Sequence, residues 1–142
     1  MIIAVALLAL GALQMYRANR PRTTTANEPP PILQTTGTVV DDVITIPAGG
    51  FVPYRMNFTH RVRLVGKFRA VDRRQTFACL LLTADNFEKW KQRSEYRSVA
   101  ETGYLPGGKM NHVLEAGTYY LVFDNRNSTE KEIPVAATFS VQ

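Results

Sequence analysis

A two-residue alternation governs residues 61–71. Val62, Leu64, Phe68 and Ala70 fall on one face with Gly66 between them, and Arg61, Arg63, Val65, Lys67 and Arg69 fall on the other. Successive strand side chains point to opposite faces, so a half-buried strand turns this pattern into one apolar and one basic surface. The same period recurs downstream. Tyr119, Leu121 and Phe123 alternate with Tyr120 and Val122, and Val135, Ala137, Phe139 and Val141 close the chain. Residues 43–46 form a strand ended by Pro47, Gly49 and Gly50. Residues 51–58 form an irregular strand interrupted by Pro53, residues 97–102 a weaker one and residues 110–114 a short one. Residues 77–83 are apolar on both faces and read as a central strand buried on two sides. Residues 85–95 break the pattern as a short helix capped by Asp85, with Phe87 and Trp90 on one face. About eight strands with turn signals between them predict an all-β fold. The expected form is a two-sheet antiparallel β-sandwich, jelly-roll-like, over residues 36–142.

With 142 residues, 45% of them hydrophobic, the chain has room for one such domain and a tail. Residues 2–13 carry no charge and no strong polar group. They predict an N-terminal transmembrane helix over residues 1–16, with Tyr16 at the membrane interface and Arg17 and Arg20 at the headgroups. As a helix this run is roughly 18–22 Å long, short for a bilayer core, so neighbouring helices or a thinned bilayer would accommodate it. A cleaved export signal is the competing reading, but only Met1 precedes the apolar run where such signals carry basic residues. Residues 17–35, rich in Pro, Thr and Asn, read as a linker with an extended path at Pro29, Pro30 and Pro31. The three arginines after the apolar run argue for a cytoplasmic domain by the positive-inside rule. The sandwich itself is expected to be extracytoplasmic, in a periplasmic setting.

Residues 114–125, Leu-Glu-Ala-Gly-Thr-Tyr-Tyr-Leu-Val-Phe-Asp-Asn, carry a hairpin signature of small jelly-roll sandwiches. The stretch resembles GOLD-type sandwiches and bacterial pre-peptidase C-terminal domains. The match lies mainly over residues 110–141, with a looser one from Val43. Gly117 suits the tight turn, and the alternating aromatics suit a sheet-on-sheet interface. The resemblance implies a non-catalytic, extracytoplasmic domain used for protein or glycan contact.

Candidate chemistry is sparse. The net charge is +5, but removing Arg17, Arg20 and Arg22 from the 17 basic residues leaves 14 against 12 acids. The globular part is nearly neutral, and no nucleic-acid partner is expected. A single cysteine, Cys79, excludes a disulfide framework and reads as a buried small hydrophobe. His60 and His112 lack spaced ligand partners, so no metal site is expected through them. Asp41, Asp42, Asp124 and Asn125 offer oxygen ligands for calcium, although turn formation explains them as well. No G-x-S-x-G motif, phosphate loop or dinucleotide glycine pattern is present, which predicts no enzyme and no cofactor. Trp90, Tyr96, Tyr104, Tyr119 and Tyr120 would make a carbohydrate platform if exposed and core or rim residues if not.

The basic stripe is the strongest surface feature. Arg61, Arg63, Lys67, Arg69, Arg73 and Arg74 are the expected partner-docking residues, facing an acidic protein or anionic headgroups. Charged edges that discourage sheet aggregation are the plainer alternative. The leading functional expectation is a membrane-anchored accessory subunit whose sandwich docks on a larger membrane protein complex. Its partners would be the bilayer and other subunits. The alternative is an extracytoplasmic module that binds a ligand, glycan or calcium.

Overall fold

The computed structural model describes residues 37–142, together with the backbone of Ile32 and Leu33. The expected anchor over residues 1–16, with Tyr16, Arg17 and Arg20, lies outside the described residues. In chain order the elements are β1 (Ile32–Leu33), β2 (Gly37–Ile46), β3 (Phe51–Phe58), β4 (Val62–Ala70) and β5 (Ala78–Thr83). Then come α1 (Ala84–Lys91), β6 (Ala100–Glu101), β7 (Gly107–Leu114), β8 (Gly117–Asp124) and β9 (Ile133–Val141). They build two sheets, ordered β1-β3-β8-β5-β6 and β2-β9-β4-β7. Among the described residues no helix is long and apolar enough to cross a membrane.

The all-β sandwich and its single short helix are as expected, with two corrections to the strand plan. Ile32 and Leu33, at the end of the stretch read as linker, pair in parallel with Met56 and Asn57. The sheets are therefore not wholly antiparallel. The strand expected over residues 97–102 contracts to Ala100 and Glu101, because residues 92–99 follow the helix as an irregular loop.

The alternating residues meet where the period places them. Leu64, Phe68, Met56, Phe123 and Phe139 are buried in the core between the two sheets. Phe139 stacks on Phe68 at 5.9 Å between centroids and meets Phe123 edge-on at 6.0 Å. Gly66 faces this cluster, and a Cβ there would overlap the Phe139 ring. Gly117 holds φ +152° at the start of β8, a conformation that side chains with a Cβ rarely take.

A second core forms on the other side of the five-stranded sheet. Leu80, Leu82, Tyr120 and Val122 point outward there, and α1 covers them with Phe87 and Trp90. This accounts for the two-sided apolarity of residues 77–83. Each large side chain buried there contributes about 2 kcal/mol. The helix cap differs from expectation. Thr83 is the N-cap, its hydroxyl accepting from the Asn86 N–H, and Asp85 sits in the first turn. Thr83 still has extended geometry, and that suits the last strand residue to satisfy the helix's first free donors.

Two tyrosines tie the loops on either side of β6 to the sandwich. The Tyr96 hydroxyl donates to Glu101 Oε2 and the Tyr104 hydroxyl to Asp124 Oδ2, both at 2.8 Å. Burial, then the bonded carboxylate, pushes the Tyr96 hydroxyl up to about 12, and the same causes raise Tyr104. A phenol whose folded value is raised stays protonated in the native chain after the unfolded chain has ionised. Stability should therefore be fully present below about pH 10 and decline as pH climbs toward 12. Denaturant titrations across this window check it. The decline should be shallower in Tyr96→Phe and Tyr104→Phe.

A candidate basic docking face

The two sheets differ in what covers them. The outer face of the five-stranded sheet lies under α1, whereas among the described residues no helix covers the outer face of β2-β9-β4-β7. Register alone aligns its side chains. Asp41, Thr138, Lys67 and Lys109 form one row across the four strands, and Val43, Ala136, Arg69 and Gly107 form the next.

The hydrogen-bond alternation sharpens the Lys67–Lys109 contact. The Ala70 N–H donates to the Pro106 carbonyl at 2.7 Å, and Arg63 and Gln142 exchange both of their backbone bonds. Antiparallel partners alternate between bonded and non-bonded pairs. Lys67 accordingly bonds to Thr138 and forms a non-bonded pair with Lys109. In such pairs the side chains stand closest, with Cβ atoms about 4.5–5.5 Å apart, and like charges there destabilise by some tenths of a kcal/mol.

These two lysines border a groove of about 650 Å³, lined also by Arg69 and Arg73. Gly107, Ala136 and Thr138 lie along the same groove, so small side chains leave it open between the cations. Gly107 is fixed there because a Cβ would come within 2.5 Å of the Phe68 carbonyl oxygen on β4. Among the described residues, none of Lys67, Arg69, Arg73 and Lys109 has a carboxylate within 4.0 Å. The acid in the row, Asp41, accepts from the Thr138 hydroxyl at 3.2 Å. The arrangement is a shallow groove with a largely apolar floor, bordered by four cations that can face an anion.

The expected docking set divides on this geometry. Lys67, Arg69 and Arg73 line the groove. Arg63 shares the outer face but donates to Asn111 Oδ1 at 2.8 Å. Arg61 pairs with Glu115 at 3.0 Å, and Arg74 pairs with Asp72 at 3.1 Å. Hydrogen bonds from Arg74 hold the Asp72 carboxyl below its ordinary range. These two arginines stand at neither side of the groove. Lys109 was not among the expected residues. Its alternation with Met110 is a sequence signal, but the strand expected over residues 110–114 leaves it out.

The other candidates fall away. Asp124 is buried against Tyr104 and Arg126, while the Asn125 amide donates to the Pro47 and Lys131 carbonyls. Asp41 and Asp42 lie on β2, in the other sheet, so the four oxygen donors do not converge. No cluster of three His, Cys, Asp or Glu side chains occurs among the described residues. Trp90, Tyr119 and Tyr120 are buried and offer no carbohydrate platform. Cys79 is fully buried, and burial pushes its thiol well above the ordinary range.

No protein-family model and no curated protein matches the chain. Among solved structures it is similar to PliG, a periplasmic lysozyme inhibitor of g-type lysozyme from Aeromonas hydrophila. The TM-score is 0.51 at 8% identity, over 82% of this chain and all of that one (100%). The pre-peptidase C-terminal domain of a Bacillus anthracis collagenase gives 0.49 at 14% identity, over 87% and 99%. A family 35 carbohydrate-binding module from an environmental isolate gives 0.44 at 8% identity, over 82% and 84%. The pre-peptidase type named by the hairpin signature is thus among the structural neighbours. At these identities the likeness is one of fold: the chain is a β-sandwich.

Proposed function

We propose that this chain is a non-catalytic binding domain that takes an anionic ligand on the β9-β4-β7 face. The observation that carries the reading is the Lys67–Lys109 pair, flanked by Arg69 and Arg73, without a carboxylate partner among the described residues. A fold gains nothing from like charges in the closest cross-strand position. An anion seated between them turns that repulsion into attraction. The expected ligand-binding module is the form of the proposal that this face supports. A membrane host complex is not required by it, although an anchored domain would present the same face.

The test is a titration of the full chain with three anionic probes: a uronate oligosaccharide, inorganic polyphosphate and an acidic peptide. At low ionic strength at least one should bind. Binding should vanish near 1 M salt, where the Debye length falls to about 3 Å. The double variant Lys67→Gln, Lys109→Gln should lose about tenfold or more in affinity, while its thermal midpoint stays the same or rises as the like-charge pair is removed. No binding of any probe at low salt would overturn the reading.

A further inference from the structure

Among the described residues the two sheets have four edge strands, and three of these edges are protected. β1 and β6 are each two residues long, and where β3 runs past β1 its free side carries Pro53, which has no N–H to donate. Very short edges give little template for pairing. β2 is long, but its register slips between Thr38 and Val40, and the Asp42 carboxylate accepts from the Val43 N–H at 2.7 Å. That N–H belongs to the edge. The bond alternation fixed by Arg63 and Gln142 makes the even-numbered residues of β2 pair with β9, which leaves Asp41, Val43 and Thr45 facing outward. A bulge and a capping carboxylate are both devices that blunt an edge.

β7 has neither. It runs eight residues in unbroken register with β4. By the same alternation Gly107, Lys109, Asn111 and Val113 turn their N–H and C=O groups away from β4. Among the described residues no strand pairs with that side, and no side chain bonds to those groups. The one device on this edge is Lys109, a charge that deters a neutral or basic strand.

We infer that the free edge of β7 accepts an extended acidic polypeptide segment as a fifth strand of this sheet. The inference rests on the reading of this face as anion-binding. A guest residue opposite Lys109 would extend the row Asp41–Thr138–Lys67–Lys109, and a carboxylate there would neutralise the lysine pair. A second acid, two residues along and opposite Gly107, would lie beside Arg69, because no host side chain fills that position. On the other side Val113 calls for an apolar guest residue. A polypeptide fits this edge because its amides repeat at the strand spacing, so main-chain bonds supply affinity and alternate side chains supply specificity. A second copy of this chain fits badly. Pairing β7 with β7 would bring the lysines together, and β2 has its edge N–H engaged by Asp42.

The experiment compares two peptides on the full chain. One carries acids at two successive outward positions and an apolar residue near its start. Its twin is N-methylated at the residues whose N–H would meet β7. The first should bind and slow the amide exchange of Lys109, Asn111 and Val113, and the twin should bind about tenfold more weakly or worse. Equal binding of the twin would overturn strand addition and leave the anion-binding reading standing. So would binding of polyphosphate or uronate with no binding of either peptide. Edge amides already protected in a dimer of the free chain would show a second copy as the occupant and overturn the inference. If no anion binds, both readings fall.

Discussion

Replacing Phe139 by alanine is expected to destabilise the domain by about 3–5 kcal/mol and lower its midpoint by about 12 °C or more. The ring is fully buried and touches Phe68 and Phe123, so its loss opens a cavity that three strands cannot collapse to fill. Gly66 gives this prediction a second arm. Its missing side chain is the space that the Phe139 ring occupies. Gly66→Ala alone should cost about 1–3 kcal/mol by overpacking. In the Phe139→Ala background the same methyl should cost little or be favourable, giving a coupling of about 1 kcal/mol or more. Denaturant melts of the four proteins close the cycle. Additive losses would mean that the two residues do not share the space. Lys67 lies next to Gly66 on β4, so the packing that seats Phe139 also sets the height of the basic row.

Arg126→Ala is expected to cost about 3 kcal/mol or more, although the residue lies in the turn after β8. Its guanidinium sits over the Trp90 ring at 3.6 Å, and Nη1 donates to the Trp90 carbonyl at 3.1 Å. Nε stands 3.4 Å from Asp124 Oδ1, an ion pair without a hydrogen bond. Asp124 is only 4% exposed. Removing the arginine strands that carboxylate in a dry site with the Tyr104 hydroxyl and the backbone N–H of residue 126 as its donors. The same change frees the end of α1, which loses both its carbonyl bond and its stacked cation. Asp124→Asn should therefore recover part of the loss in the Arg126→Ala background. Arg126→Lys should fall between, since an ammonium keeps the charge without the flat stack. Chemical denaturation with Trp90 fluorescence reads both effects. A loss confined to a few tenths of a kcal/mol would show the pair to be an ordinary surface one.

Much of this architecture was legible because the period of the side chains is a direct readout of strand faces. Residues 61–71 gave the buried and basic sides of β4 correctly, and residues 77–83 announced two-sided burial. What the pattern cannot carry is the neighbour of each strand. That β7 lies beside β4, and so sets Lys109 against Lys67, depends on pairings between residues 38 to 52 positions apart. The same limit dispersed the docking set. Arg61 and Arg74 stand near Lys67 in the sequence, but each has its own carboxylate. Trp90, Tyr119 and Tyr120 leave the expected aromatic platform for a related reason. Trp90 and Tyr120 each show a polar atom and a large flat ring in the sequence, and only the docking of α1 on β8 decides that they are core. The parallel pairing of Ile32 and Leu33 had no sequence signal, because two residues are too few to display a period.

The most direct measurement of the central claim is an amide NMR map of the isotope-labelled full chain, titrated at low ionic strength with the anionic probe that binds. The proposal expects the shifted resonances to cluster at Lys67, Arg69, Lys109 and Thr138, with α1 and its surroundings unmoved. Shifts centred on α1 and the loop after it, with β4 and β7 silent, would contradict the assignment of the binding face.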